Sequence, residues 1–160
     1  DLDGIPDASL DGVIAEAGAL SHHLVAEATL EASNRALRPG GRLLLCVDSL
    51  ALGLAQLAEQ GRWAELADVP SADVVLVANG DGTVKRCFWP EELEAMLRDS
   101  GYAVESIQPR TVLGAASVVP ALAADRGALD TLVTTEVALA RERQGESTGI
   151  RLVASATRPA

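Results

Sequence analysis

Two adjacent histidines are the side chains in this sequence best suited to general acid–base chemistry. His22 and His23 follow Ser21, and they are the only histidines in the chain. The pKa of an imidazole lies near neutral pH, so a histidine can accept a proton from a substrate hydroxyl or amine. The same positions also suit surface residues at the start of a helix that take no part in catalysis. The sequence leaves both roles open.

A short turn follows the first apolar segment of the chain, residues 11–16. Glu16, Ala17 and Gly18 form this turn, and Gly18 interrupts the apolar run. In open α/β sheets, ligands bind beyond the carboxyl ends of the strands. Glycine lets a backbone approach a ligand closely. We therefore expect residues 16–23 to line a ligand-binding cleft, although an ordinary strand-to-helix turn would explain the same residues.

Asp48 and Ser49 occupy the equivalent position after a second apolar segment, residues 42–47. If both segments are parallel strands, Asp48 lies at the same rim of the sheet as Glu16 and Gly18. Ser and Asp are also preferred N-cap residues of helices. We favour this capping role for the pair.

The charge balance argues against several classes of partner. The chain has 13 basic and 23 acidic residues, which gives a net charge of −10. Nucleic-acid binding depends largely on neutralising phosphates, and anionic membranes attract basic surfaces. The sequence therefore predicts neither partner and favours a small-molecule substrate or another protein, with a homodimer left open.

Other sequence features indicate a single cytoplasmic domain without a metal. The 160 residues fit one domain, and no apolar run reaches the length of a membrane span. No basic segment followed by an apolar run indicates a signal peptide. Cys46 and Cys87 are too few and too far apart for a disulfide framework or a zinc site, so we expect two reduced, buried thiols.

Alternating segments predict an α/β fold with short connections. A sheet that began at residue 11 would have an exposed edge, and the chain opens with aspartate rather than methionine. We therefore expect that further elements precede these residues in a longer protein. The expected strands are 11–16, 42–47, 102–107 and 150–157; the expected helices are 21–36, 49–66, 90–100 and 127–143; the expected hairpin strands are 72–78 and 83–88; residues 113–124 are ambiguous.

Three segments carry a resemblance to a known family. Residues 37–43 read Leu-Arg-Pro-Gly-Gly-Arg-Leu, residues 89–93 read Trp-Pro-Glu-Glu-Leu, and residues 1–11 join an acidic start to an Ala-Ser-Leu-Asp strand entry. In this order and spacing they resemble the class I S-adenosylmethionine (SAM)-dependent methyltransferases, from the end of the third strand onward. The terminal apolar segment resembles the family's antiparallel seventh strand.

The resemblance implies a partial Rossmann-like sheet, mostly parallel, with an antiparallel last strand between the second and third parallel strands. It implies one methyltransferase-type domain over residues 1–160 that lacks its N-terminal strands, with residues 50–88 as a substrate-covering insertion. It also implies S-adenosyl-L-methionine as cofactor, with Asp1 and Leu2 at the adenine and Glu16, Ala17 and Gly18 near the methionine part. The family's glycine-rich loop and ribose-binding acid have no counterpart in this sequence.

Two functions from different classes remain. The first is methyl transfer from SAM to a small-molecule acceptor, with His22 or His23 as an optional base. Positioning supplies most of the acceleration in such a reaction, because the sulfonium already activates the methyl group. The second is a non-catalytic, truncated module that pairs with another chain through its open sheet edge. A doubly wound sheet of the dehydrogenase type is a weaker third hypothesis, because the predicted antiparallel last strand disfavours it.

Overall fold

A four-stranded mixed sheet organises the fold in the computed structural model, which describes residues 2–111, 126–142 and 149–160. Its strands stand in the order β1-β2-β6-β5. β1 runs parallel to β2, and β6 runs antiparallel to both β2 and β5. The strands are β1 (Leu10–Ala15), β2 (Leu37–Asp48), β5 (Ala103–Arg110) and β6 (Arg151–Thr157).

One face of this sheet carries the main core. β6 alternates between buried and half-buried residues, and its buried side chains are Leu152, Ala154 and Ala156. This period of two is what a strand with one covered face requires. The buried face packs against two helices, α1 (Ala26–Ala36) and α4 (Pro90–Asp99). The largest buried side chains of this core are Phe88, Leu30, Leu37, Leu45, Leu93, Leu97 and Leu152.

Residues 50–87 form a smaller unit with its own apolar cluster. It comprises α2 (Leu50–Glu59), α3 (Trp63–Asp68) and a hairpin of β3 (Val75–Ala78) and β4 (Val84–Cys87). Leu50, Leu57, Val69, Val75, Val77 and Cys87 make up its buried cluster. The expected hairpin is present, and its turn is closed by a hydrogen bond from Asn79 N–H to Thr83 O (2.7 Å). A role as substrate cover stays a prediction.

The expected helix 21–36 is shorter than the sequence suggests. A 3-10 turn covers Leu20–His22, the chain is extended at His23, and α1 begins at Ala26. Ser21 does not cap this helix, because its hydroxyl accepts a hydrogen bond from the Asp48 backbone N–H instead. The sequence also predicts an apolar stripe along this helix, formed by Leu24, Val25, Ala28, Leu30 and Ala32. This prediction is wrong over its first half, since Leu24, Val25 and Ala28 are exposed and Leu30 is the buried member.

Pro39-Gly40-Gly41 is typical of a turn that ends a helix and precedes a strand, but these residues lie inside β2. The strand begins at Leu37, and its pairing with β1 jumps from Leu10–Leu37 to Gly12–Arg42. This irregularity accommodates extra residues on one strand, as a β-bulge does. Gly40 takes a φ of 77°, so the glycines permit the bulge rather than ending the element.

The last helix, α5 (Arg126–Glu142), presents apolar side chains to solvent. The sequence places Leu129, Leu132, Val133, Val137 and Ala140 on one of its faces. Leu129, Val133 and Val137 are exposed. Asp1 and the ambiguous segment 113–124 lie outside the described residues. Within the described part of the chain, no helix is long and apolar enough to cross a bilayer.

Candidate functional site

A buried carboxylate stands at the carboxyl end of β2. The Asp48 side chain is 3% exposed, and its Oδ2 lies 2.6 Å from Lys85 Nζ, which is itself 7% exposed. Its Oδ1 forms a second ion pair with the Arg151 guanidinium, which remains 31% exposed. A buried charge is tolerated only when it is paired and hydrogen-bonded. Two cations therefore share one carboxylate at this rim.

Three different elements bring these charges together. Asp48 and Arg151 face each other in the antiparallel register of β2 and β6. Lys85 belongs to β4, which is held beside β2 by a hydrogen bond from Phe88 N–H to Asp48 O (2.9 Å). Ser49 N–H also donates to Ile150 O (3.1 Å). The end of β2 is thus the junction of the sheet and the hairpin.

The turn after β1 packs directly on this cluster. Ala17 and Gly18 both have positive φ, 55° and 73°. A Cβ on Gly18 would lie 2.6 Å from Arg151 Nη1 and 3.2 Å from Asp48 Oδ1. The missing side chain of Gly18 therefore makes room for the ion pair. Glu16, Ala17 and Gly18 do lie at the same rim as Asp48, and their contact with a cofactor stays a prediction.

The two histidines point toward different surroundings. Both are exposed. The His22 charge acts on Asp81 in the hairpin turn, whose pKa is lowered mainly by hydrogen bonds from Thr83. His23 instead lines a cavity of about 60 Å³ between α1 and the sheet. Ser21, which directly precedes the two histidines, is the residue that contacts Asp48, because its hydroxyl accepts a hydrogen bond from the Asp48 backbone N–H. A catalytic role for either histidine stays a prediction.

The beginning of the described chain is tied to α1. The Leu2 carbonyl accepts hydrogen bonds from Ile5 N–H (2.9 Å) and from Arg35 Nη2 (3.1 Å). Arg35 also donates to Ile5 O (3.0 Å) and pairs with Asp7. These contacts fix the backbone at Leu2, the residue expected beside the adenine.

A second buried cation, Arg86, joins the hairpin to both core helices. Its guanidinium pairs with Glu27 of α1 (2.9 Å) and Glu92 of α4 (2.7 Å), and it stacks 5.0 Å from the Phe88 ring centroid. The pKa of Glu27 is lowered by a backbone hydrogen bond and by Arg86. The pKa of Arg86 is raised, since its two carboxylate partners outweigh the effect of burial.

Sequence reasoning missed Lys85, Arg86 and Arg151 as parts of this region. Lys85 and Arg86 lie in a four-residue strand, Val-Lys-Arg-Cys, whose pattern predicts only the return strand of a hairpin. Two adjacent cations in a strand flanked by apolar residues could have indicated a buried ion-pair site, because such charges are rarely buried without partners. Ser49 was assigned correctly as a cap: its hydroxyl accepts a hydrogen bond from Leu52 N–H.

An apolar cavity opens between the N-termini of α2 and α4. Its volume is about 220 Å³, and Leu50, Leu54, Trp89 and Pro90 contribute to its wall. Trp89 is half exposed, at 49%. Apolar clefts with a few polar groups at their edge are the usual form of small-molecule sites. This cavity therefore has the form of a small-molecule site.

Neither cysteine is activated for chemistry. Burial raises the pKa of Cys46 and raises that of Cys87 to about 12. Both thiols are free and buried, as the sequence predicts. Among the described residues, no three or more His, Cys, Asp or Glu side chains cluster in a way that could hold a metal.

No family model matches the sequence, and no curated protein matches it. Many solved structures resemble the fold, and three of them illustrate the similarity. A Burkholderia thailandensis 1,6-didemethyltoxoflavin-N1-methyltransferase with bound S-adenosylhomocysteine is 18% identical, with a TM-score of 0.53 over 97% of this chain and 46% of its own. A SAM-dependent methyltransferase from Mesorhizobium loti is 17% identical, with a TM-score of 0.56 over 99% of this chain and 67% of its own. The cyclase SpnF is 18% identical, with a TM-score of 0.50 over 97% of this chain and 52% of its own.

These similarities establish the fold. The mixed sheet with helices on its core face is the fold of SAM-dependent class I methyltransferases, as the sequence resemblance indicated. The chain spans about half to two thirds of the length of these three structures. One of them is a cyclase, so the fold does not by itself determine the reaction.

Proposed function

We propose that these residues are the C-terminal part of a SAM-dependent methyltransferase domain that acts on a small-molecule acceptor. The observation that carries the proposal is the sheet order β1-β2-β6-β5, in which the last strand lies inside the sheet and runs antiparallel. In the longer protein, further strands would pair with the open edge of β1. Similarity to methyltransferases over nearly the whole chain supports this placement.

Two observations on the described residues support contacts to one side of the cofactor. Leu2 is fixed against α1, and the turn at Glu16–Gly18 stands at the carboxyl end of β1. These residues would contact the adenine and the methionine part, with Asp1 accepting a hydrogen bond from the adenine amino group. A glycine-rich loop and a ribose-binding acid have no counterpart in the sequence, so under this proposal the remaining contacts would come from further residues of a longer protein.

When bound, S-adenosyl-L-methionine supplies an electrophilic methyl group. The chain's own contribution is to position and enclose the acceptor. The cavity lined by Leu50, Leu54 and Trp89 would bury its apolar part and exclude water. His22 and His23 are exposed after the turn that follows β1 and are not among the residues that line this cavity, so in this proposal either stays an optional base for the acceptor.

A non-catalytic module is the alternative, and one observation favours it. The outer face of the sheet exposes Ile14 of β1 at 72% and Leu44 of β2 at 37%. Apolar side chains beside an unpaired strand edge are typical of surfaces that pair with another chain. Under this alternative the partner would be a different polypeptide, and SAM would not bind.

The test uses the product of the whole reading frame that contains these residues. It is irradiated with radiolabelled SAM, and the cross-linked peptides are mapped. We expect labelling of peptides from residues 2–18, with competition by S-adenosylhomocysteine. Absence of any competed labelling would contradict the proposal and favour the non-catalytic module.

A further inference from the structure

A row of charged side chains crosses the non-core face of the sheet at its carboxyl rim. Asp48, Arg151 and Arg110 are direct neighbours in the register of β2, β6 and β5. Residues that face each other across antiparallel strands point to the same side of the sheet. Because Leu152 points into the core, Arg151 and its two neighbours point to the opposite face.

The positive charge of this row is not balanced. Lys85 already pairs with the Asp48 carboxylate at 2.6 Å, so Arg151 shares an anion that is neutralised from the other side. Arg110 donates to neutral acceptors, Pro109 O (2.9 Å) and Gln108 Oε1. Among the described residues, no acid lies within ion-pair distance of Arg110. Within the described part of the chain, Lys85, Arg151 and Arg110 stand against the carboxylates of Asp48 and Glu16, which leaves one positive charge in excess in a chain whose net charge is −10.

Both arginines also keep donors available. A guanidinium carries five N–H donors, and Asp48 receives one from Arg151 through Nη1. Arg151 is 31% exposed and Arg110 is half-buried, so a ligand can reach them. Their backbones are held in place, because Gly149 packs on Arg110 and Ile150 N–H donates to Thr111 O (2.9 Å).

One acid opposes the row from the neighbouring strand. Glu16 is exposed at the end of β1. Burial raises the pKa of Cys46, and the charges of Glu16 and Arg151 then act on this thiol in opposite directions. Glu16 and Arg151 therefore both lie near the Cys46 thiol, and the negative charge of Glu16 opposes that of Arg151 there.

We infer that Arg151 and Arg110 form a binding site for a carboxylate at the rim of the sheet, with Asp48 and Lys85 fixing Arg151 in position. Planar, bidentate recognition of carboxylates is the characteristic use of arginine. The inference that this carboxylate belongs to the methyl acceptor rests on the proposed function. The methionine part of the cofactor carries the same chemical group and is the other source.

The test observes the arginine side chains directly. The ¹⁵N-labelled 160-residue chain is titrated with benzoate, and with benzamide as the neutral isostere, while Nε–Hε resonances are followed by NMR. Arg151→Gln and Arg110→Gln assign the two signals and test the site. Arg42→Gln is the matched control, since Arg42 is an exposed arginine on the same face, six residues before Asp48 in β2 and opposite Thr157 of β6.

We expect benzoate, but not benzamide, to shift the Arg151 and Arg110 resonances and to leave that of Arg42 unchanged. Each glutamine variant at the site should weaken benzoate binding roughly tenfold or more, and Arg42→Gln should not. Arg110→Gln keeps every ion pair of the cluster, so it stays informative if Arg151→Gln does not fold. Glu16→Gln should tighten benzoate binding. Equal shifts with benzamide, or benzoate shifts that persist in both site variants, would overturn the inference.

Two further ligands separate the sources of the carboxylate. S-adenosylhomocysteine carries the amino-acid carboxylate, and 5′-methylthioadenosine lacks it. If S-adenosylhomocysteine alone displaces benzoate, the site takes the cofactor, and the assignment to the acceptor is overturned. If S-adenosylhomocysteine binds, as shown by shifts of other resonances at saturating concentration, and leaves benzoate bound, the acceptor assignment is supported. Benzoate binding without any response to S-adenosylhomocysteine would support the carboxylate site and count separately against cofactor binding by this chain.

Discussion

Lys85 Nζ and Asp48 Oδ2 lie 2.6 Å apart, and solvent reaches almost none of either side chain. This pair connects a strand of the hairpin to the last residue of β2. A charge that is buried with its partner costs desolvation energy, whereas the same charge left alone costs far more. The pair therefore holds the hairpin against the sheet and fixes where the rim residues stand.

Replacing Lys85 should destabilise the fold strongly. In Lys85→Met, Asp48 keeps Arg151 but loses its buried partner, so we expect a decrease in the free energy of unfolding of about 2–4 kcal/mol. Urea denaturation measures it. Arg98→Met is the control, because the Arg98–Glu94 pair is exposed and should contribute less than about 1 kcal/mol. Equal losses in the free energy of unfolding for the two variants would show that the buried pair contributes no more to stability than the exposed pair.

Gly18→Ala tests the contact between the rim turn and the ion pair. Gly18 and Gly40 both have positive φ, but a Cβ on Gly40 would meet nothing within 4 Å. Gly40→Ala should therefore cost only the backbone strain, about 1–2 kcal/mol. Gly18→Ala should cost more, since Arg151 can move away only by leaving Asp48. Unfolding curves of equal midpoint would contradict the close packing described for Gly18.

Much of the element order could be predicted from residue patterns, and the exceptions have local causes. The hairpin turn at residues 79–82 and the α4 start at Pro90 follow from short-range chemistry, which a sequence displays directly. The predicted helix start at Ser21 is wrong, because the Ser21 hydroxyl accepts a hydrogen bond from the backbone N–H of Asp48, 27 positions away, and does not cap the helix. Long-range partners of this kind leave no local signal.

The candidate site was predicted only in outline. The rim positions of Gly18 and Asp48 follow from strand ends, which an α/β pattern locates. The roles of Lys85 and Arg151 depend on a register between distant strands and on a hairpin that folds back onto β2. Asp48 was interpreted as a helix cap, and it is instead the centre of an ion-pair cluster.

Arg86→Leu should reduce stability and flatten its dependence on acid pH. The pKa of Glu27 is depressed by a backbone hydrogen bond and by Arg86, so this contribution is present above the pKa of the unfolded chain and is lost as the pH falls. In Arg86→Leu we expect a loss of about 2–4 kcal/mol at pH 7 and a smaller further loss between about pH 5 and pH 3.

The measurement for this variant is urea unfolding across that pH range. Arg62→Leu serves as the control, because Arg62 pairs with Glu65 on an exposed helix surface. An unchanged acid dependence in Arg86→Leu would mean that Arg86 does not set the ionisation of Glu27.

The cysteines should be unreactive in the folded protein and should affect stability at alkaline pH. With its pKa raised to about 12, Cys87 holds roughly one ten-thousandth of its thiol as thiolate at pH 8. Iodoacetamide should therefore modify neither Cys87 nor Cys46 at pH 8, and both in urea. Mass spectrometry reads the result, and rapid alkylation of the folded chain would contradict the burial of these thiols.

The raised pKa of Cys87 also determines the direction in which stability changes at alkaline pH. The unfolded thiol releases its proton near pH 9 while the folded one retains it, so stability from Cys87 is complete below pH 9 and declines as the pH rises toward 12. Cys87→Ala should decline less steeply over that range. Parallel pH profiles of the two proteins would rule out this contribution.

Calorimetric titration of the 160-residue chain with SAM tests most directly whether these residues hold one side of a cofactor pocket. Each missing charge-assisted contact costs roughly 1.5–3 kcal/mol, so two or three of them weaken binding by about a hundredfold or more. We expect this chain to bind SAM with an affinity weaker than micromolar. The product of the whole reading frame should bind SAM at least about a hundredfold more tightly than this chain does. Tight, stoichiometric binding to the 160 residues alone, or no binding to either protein, would contradict the account.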